Sequence, residues 1–367
     1  MTAMVYQDES DAPSTVGRKS FYERWKESEG IPTFRGYFIK DLADIELTPW
    51  RSRGGSAVFV NLEGTGGLND SYVCEIGPKE RLAPVKHMYD EMVFVVRGRG
   101  ATEVWLEGQE KQVFEWSDRS FFAIPPNAWH QHFNLSSEEP VRYFAVTSAP
   151  IVLDTFKSLD FVFDNPYVFK DRFTGEEGYF NQQPRGSSRR WKTNFVADVL
   201  ASAERLSDSS EERGAGARNV RFDLVNGTAR SHTSAWPVGT YKKAHRHGPG
   251  VHVMILEGSG YSLFWQESSP VERIEWGPRS VLVPPENWFH QHFNTGAEPV
   301  LFLAIGSGRE RAKPSGDSYV YVSTEEGGDQ IEYENEDPAI HADFEASLGR
   351  AGVTCQMGAE HPFCTAR

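Results

Sequence analysis

Apolar positions in this chain fall in short runs broken by glycine and proline, a pattern of brief strands and tight turns. Residues 92–96 (MVFVV) and 252–256 (HVMIL) are two such runs, and each leads into a Gly-x-Gly turn suited to paired strands. Pro125-Pro126 and Pro284-Pro285 cannot lie inside a central strand, so they mark where the following HQHFN strands begin. Two helices are predicted. Residues 193–206 (TNFVADVLASAERL) suit an amphipathic helix capped by Thr193 or Asn194. Asp337-Pro338 opens another, with Asp as cap and Pro in the first turn. The stretch 207–218 (SDSSEERGAGAR) reads as a surface linker and 324–337 (TEEGGDQIEYENED) as a solvated acidic surface.

The strand-like runs recur. His87–Gly100 and His247–Gly260 share the form His, ten residues, Gly, one residue, Gly; PNAWHQHFN and ENWFHQHFN follow them. His247 and His87, Gly258 and Gly98, His290 and His130, His292 and His132, and Asn294 and Asn134 are all 160 residues apart. A shared register across both motifs identifies a tandem duplication.

With 367 residues, 39% hydrophobic, the chain has material for two cores. Lys and Arg number 38 against 52 Asp and Glu, a net charge of −14. That field disfavours nucleic acid and anionic membranes as partners, and makes any anionic substrate depend on a local cationic site. Cys74, Cys355 and Cys364 are odd in number and in no zinc spacing. With no signal-like N-terminus and no 18-residue apolar run, the expectation is a cytoplasmic protein.

Strand parity points His245 and His247 the same way along one strand, and His290, His292 and Asn294 the same way along another. Two imidazoles from one strand and a third from its neighbour can converge on a divalent metal, leaving open positions as in a catalytic centre. Ordinary half-buried histidines are the competing reading. His292, beside His290, is a candidate to bind substrate or move a proton, although its repeat in His132 also suits a packing motif. Lys243 shares the parity of His245 and is a candidate carboxylate-binding group at the barrel mouth, against a plain reading as a solvated rim lysine. Arg246 should face away from the metal. Trp129, Trp288 and Phe289 read as packing residues.

These residues resemble the cupin superfamily. Gly239, His245, His247 and Gly258 fit its first motif; Pro285, His290 and Asn294 fit its second, with Asn287 where glycine is usual. The resemblance implies an all-β fold of tandem cupin (jelly-roll) barrels with a few flanking helices. The expected units are an arm at 1–48, barrel 1 at 49–150, a linker with a helix at 151–215, barrel 2 at 216–310, and an acidic tail with a short helix at 311–367. The family's glutamate ligand falls at Val251. His252 is turned to the other face by parity, and replaces that ligand only if the Gly248–Gly250 turn shifts the register. Barrel 1 has the opposite defect: His87, Glu91 and His130 are in place, but Val85 stands for the first histidine, giving a reduced or vestigial site.

A three-histidine set without the glutamate is similar to the gentisate and hydroxynaphthoate dioxygenase bicupins. The shared features here are His245-Arg246-His247, Glu257-Gly258-Ser259-Gly260 and Phe289-His290-Gln291-His292. That likeness implies Fe(II), O2 and a chelating hydroxy-acid substrate; Mn(II), Ni(II), Cu(II) and Zn(II) are also compatible. It departs in placing the intact set in the second barrel. The alternatives are a redox-neutral bicupin lyase, decarboxylase or isomerase, and a non-catalytic small-molecule-binding cupin. Cupins often pair, so a homo-oligomer is expected, with the arm as a candidate contact.

Overall fold

A computed structural model describes residues 19–187, 190–202, 207–208, 213–306, 312–316, 318–358 and 361–364. Each repeat folds as a jelly-roll of one large and one small sheet, antiparallel apart from one parallel edge pairing in each large sheet. In barrel 1 the strands Ser56–Leu62, Asp70–Ile76, Val141–Thr147, Glu91–Arg97 and Phe121–Ile124 lie side by side. Facing them, Gly100–Trp105 sits between Trp129–Asn134 and Gln112–Trp116. Barrel 2 repeats this order with Arg218–Leu224, Arg230–Trp236, Val300–Gly306, His252–Glu257 and Val281–Leu282, opposed by Glu272–Trp276, Gly260–Trp265 and Phe289–Asn294.

The glycines of the shared turn are fixed by geometry. Gly98 and Gly258 have φ of 94° and 82°, and a Cβ on Gly260 would lie 1.9 Å from the Phe293 carbonyl oxygen. Asn127 and Asn287, at the cupin glycine position, take φ of 59° and 62°, a conformation asparagine tolerates.

Alternation along the large sheets gives each an inner and an outer face. Val253, Ile255, Phe302, Ala304 and Trp236 fill barrel 2. Phe94, Phe144, Met254, Leu303 and Ile305 join one buried cluster, in which the outer faces of the two sheets meet. Burying side chains of this size is worth about 1.5–3 kcal/mol each, which makes the shared face a principal source of stability.

The arm does not reach outward over its described length. Thr33–Gly36 pairs in parallel with Ser56–Leu62 of barrel 1; Phe38–Ile39 then crosses to pair with Val281–Leu282 of barrel 2. The inter-barrel segment makes the reciprocal crossing. Arg190–Thr193 pairs with Arg218–Leu224 of barrel 2, and Phe195–Val196 with Phe121–Phe122 of barrel 1. Asp41 holds Arg279 with contacts of 2.9 and 2.6 Å, and Asp198 holds Arg119 with 3.1 and 2.8 Å. The repeat therefore extends to FRGYFIKDL (34–42) and WKTNFVADV (191–199), beyond the limits read from the histidine motifs.

That crossing corrects the predicted helix at 193–206. Thr193 ends one strand, Phe195–Val196 forms another after a bend at Asn194, and 203–206 lie outside the described residues. β-Branched Thr193 and Val196 suit sheet pairing, and Asn194 bridges Tyr179 O and Val225 N. The linker's helices lie earlier, at Ala149–Phe156 and Leu159–Phe163. Within the expected linker at 207–218, Ser207–Asp208 pairs with Arg218–Asn219, and 209–212 lie outside the described residues. The helix Pro338–Ala351 forms as expected, with the Asp337 side chain accepting from Ala339 N. The acidic stretch before it is not simply solvated: Gln330–Ile331 adds a strand beside Ala244–His245, and Tyr333 and Glu336 are buried. No described helix is long and apolar enough to cross a membrane.

Candidate metal centres

In barrel 2, His245 on the short strand Ala244–His245 lies directly opposite His290, and His247 follows in the next turn. The ring centroids are 4.2 Å apart for His245–His290, 4.8 Å for His247–His290 and 5.7 Å for His245–His247. One ligand atom from each lies within 4.8 Å of the others. The Nδ1 atoms face the carbonyls of Lys243, Gly248 and Trp288 at 3.2, 3.0 and 3.2 Å. A carbonyl only accepts, so each Nδ1 carries the proton and each Nε2 the lone pair, the tautomer a metal requires. Burial, then the Arg213 charge, lowers His245; burial, then His247, lowers His290, so both stay neutral ligands. The set fits a divalent ion.

Val251 packs against the interior cluster of barrel 2, where the cupin glutamate is expected. His252 is on the opposite face, its ring 5.7 Å from Phe144 of barrel 1, and it supplies nothing to the three-histidine set. Arg246 turns outward to Asp329 and Glu267. Trp129 stacks on Trp105 and Phe289 on Trp265, both packing roles.

His292 has the other tautomer. Trp276 Nε1 donates to Ser262 Oγ (2.8 Å), leaving the hydroxyl proton for His292 Nδ1 at 2.7 Å. His292 therefore presents an N–H at Nε2, a hydrogen-bond donor rather than a ligand. Burial, then Lys242, pushes it down to about 3. Trp116, Thr102 and His132 form the same chain in barrel 1, at 2.8 and 2.7 Å, so its framework is common to both repeats.

Lys243 does not enter the barrel. Its ammonium pairs with Glu332 at 2.6 Å, because Lys242 and Lys243 lie outside regular strand and parity fails across them. The interior lysine is Lys242. Its Nζ is 2.5 Å from Ser234 Oγ and 4.6 and 4.8 Å from the Trp236 and Phe302 rings. It has no carboxylate partner among the described residues. Burial, then Arg213, lowers it to about 7. Trp236 Nε1 is also buried without an acceptor. A buried ammonium answered only by a serine hydroxyl, beside an unanswered indole N–H, suits an anionic ligand. The repeat held the clue: Lys242 maps onto Leu82, with Gln291 Nε2 bonding Lys242 O as Gln131 Nε2 bonds Leu82 O.

Barrel 1 closes on itself. Val85 bridges His130 just as His245 faces His290, so Val85 stands in barrel 1 where His245 stands in barrel 2. His87 Nδ1 faces Tyr89 O at 2.9 Å and Nε2 faces Glu91 Oε2 at 3.1 Å, while Tyr72 OH donates to the other Glu91 oxygen. Burial alone would raise Glu91; the His87 hydrogen bond and charge, with His130 and His132, carry it well below the usual carboxylate range. His87, Glu91 and His130 remain close enough to share an ion, and His130 Nε2 is buried without a partner. An internal ion pair accounts for the His87 and Glu91 contacts equally well.

Two jelly-roll barrels, each lined by a metal-type donor set, make the tandem cupin fold. A family model described as a cupin domain matches residues 72–147, in barrel 1. Over 68 residues the chain is 35% identical to glucose-6-phosphate isomerase of Thermococcus kodakarensis, covering 18% of this chain and 36% of that one. Over 95 residues it is 30% identical to the same enzyme of Thermococcus gammatolerans, covering 24% and 50%. The chain thus spans about a third to a half of the length of these curated relatives. Solved structures of oxalate decarboxylase from Bacillus subtilis are similar at 15% identity. One covers 75% of this chain and 77% of that chain with a TM-score of 0.47. Another, from work on that enzyme's Mn(II) centres, covers 76% and 79% with a TM-score of 0.48. Likeness at this level says nothing about chemistry.

Proposed function

We propose that the chain is a metal-dependent, redox-neutral enzyme that acts through barrel 2 on a small anionic hydroxy- or keto-compound, as an isomerase or lyase. The observation that carries this reading is one barrel interior holding three convergent imidazoles and the ammonium of Lys242, which has no carboxylate partner among the described residues. His245, His247 and His290 would hold the ion, which supplies Lewis-acid polarisation of a bound oxygen. Lys242 receives the anionic group and, poised near neutrality by its burial, can give or take a proton. His292 donates its Nε2–H to a substrate oxygen. The partial matches to two glucose-6-phosphate isomerases support redox-neutral chemistry on an anionic substrate.

The test is anaerobic turnover of sugar phosphates and of hydroxy and keto acids, with Fe(II), Mn(II), Ni(II), Cu(II) or Zn(II) supplied in turn. Metal-dependent conversion without O2, lost in His290→Ala, is the expected result.

Val251 favours a second reading, the Fe(II) dioxygenase acting on a hydroxylated aromatic acid or similar chelator, because three histidines leave three facial positions open. Iron near one per chain and stoichiometric O2 consumption would establish it in place of the first. Tight ligand binding with no turnover under either regime would reduce the protein to a binding cupin.

A further inference from the structure

The C-terminal segment assembles a third donor set, apart from both barrel interiors. The helix Pro338–Ala351 puts His341 and Glu345 one turn apart, with Nε2 and Oε1 separated by 3.3 Å. The chain then reverses at Gly352, whose φ is 69°, and brings in Cys355 and Cys364. Their sulfurs are 3.3 Å apart, and one ligand atom from each of the four residues lies within 4.8 Å of the others. His341, Cys355 and Cys364 are buried; Glu345 is half-buried. The cysteines have no zinc spacing in sequence, and the set forms only in the fold. Eight residues lie between them, but a histidine and a glutamate from the preceding helix complete the set.

The orientation of His341 is also supplied. Its Nδ1 is 2.9 Å from Tyr241 OH and its ring stacks on His361 at 4.0 Å, which aims Nε2 at Glu345 and the two sulfurs. Tyr241 OH is held in turn by Glu336 and His361, at 2.6 and 2.7 Å. An imidazole anchored through one nitrogen and aimed through the other is the arrangement that surrounds bound metals.

We propose that His341, Glu345, Cys355 and Cys364 form a closed Zn(II) site that ties the C-terminal helix to the segment after it, with His341 holding the assembly to Tyr241 of barrel 2. Two sulfurs with one nitrogen and one oxygen suit zinc, and four protein ligands leave no position for substrate, so the site is structural. The sulfur separation lies beyond the roughly 2.05 Å of a disulfide. It is about half an ångström short of what two ligands 2.3 Å from one tetrahedral zinc require, an adjustment within reach of a loop. Tyr241 directly precedes Lys242, so the fastening also fixes the backbone from which the barrel-2 lysine and His245 project.

Co(II) loading of the reduced full-length protein tests this independently of the barrel chemistry, because neither barrel set contains sulfur. One thiolate-to-cobalt charge-transfer band per chain is expected, retained in His290→Ala and Cys74→Ser and lost in Cys355→Ser and Cys364→Ser. In case the serine variants do not fold, thiol reactivity of the Zn(II)-loaded wild type is measured before and after chelation. Two thiols should become reactive only once metal is removed. Absence of the cobalt band, or thiol reactivity indifferent to chelator, overturns the site. Thiols reactive only after reduction would assign the pair to a disulfide instead.

Discussion

Replacing Lys242 with methionine should stabilise the protein while weakening its hold on anions. Lys242 is 6% exposed, and its ammonium meets a serine hydroxyl and two aromatic rings, with no carboxylate partner among the described residues. Its folded-state value of about 7 lies below the ordinary 10.5, so the unfolded chain binds more protons between those limits. Stability contributed by this position therefore rises with pH across that window and is lowest at and below pH 7. From those two values the cost is about 4 kcal/mol at pH 7 and about 2 kcal/mol at pH 9. His232 and His292, facing the lysine, are lowered by burial to about 3 and do not titrate in this range. Urea unfolding of metal-free wild type and Lys242→Met at pH 7 and pH 9 isolates the effect, because other groups cancel in the difference. The variant should be more stable at both, with its advantage roughly halved at pH 9. A pH-independent difference, or a less stable variant, would refute the reading of Lys242 as a buried, unpaired cation.

Val251→Glu should restore a carboxylate to the barrel-2 metal face, raising divalent-metal affinity by about tenfold or more while lowering the unfolding midpoint of the metal-free protein; calorimetric titration and urea melts measure the two. Tyr241→Phe removes a hydroxyl shared by Glu336, His341 and His361 and should cost about 2–4 kcal/mol, read by denaturant unfolding. Asp41→Ala and Asp198→Ala break matched, solvent-exposed pairs and should each cost no more than about 1 kcal/mol in the same assay. A large cost for either would mean the crossings depend on these ions rather than on sheet pairing.

The barrels and their histidines were readable because jelly-roll strands impose a period of two and a duplication repeats its landmarks. His245, His247 and His290 converge as that parity requires, and Val251 and His252 take the opposite faces it assigns. Parity misled where regular strand stopped: Lys242 and Lys243 precede a two-residue strand, and the interior side chain is the one a continuous strand would turn outward. The repeat offset carried the right answer through Leu82. At residues 193–199 an apolar pattern fits a helix locally, but pairing with another barrel's edge wins, a choice made by long-range contacts. The C-terminal donor set was invisible for a similar reason, since its members meet only after a helix and a reversal.

The paired crossings at 33–39 and 190–196 bear on how the molecule can be divided. Each half donates a strand to the sheet edge of the other, Phe38–Ile39 in one direction and Phe195–Val196 in the reverse. A cut between the barrels would strip each of an edge strand that the other fragment still carries. Co-expressed fragments should therefore find each other and reassemble, while either alone would expose a bare edge and self-associate. The same exchange, made between two copies of a one-barrel chain, would give a swapped homodimer, and joining its ends would give this fold.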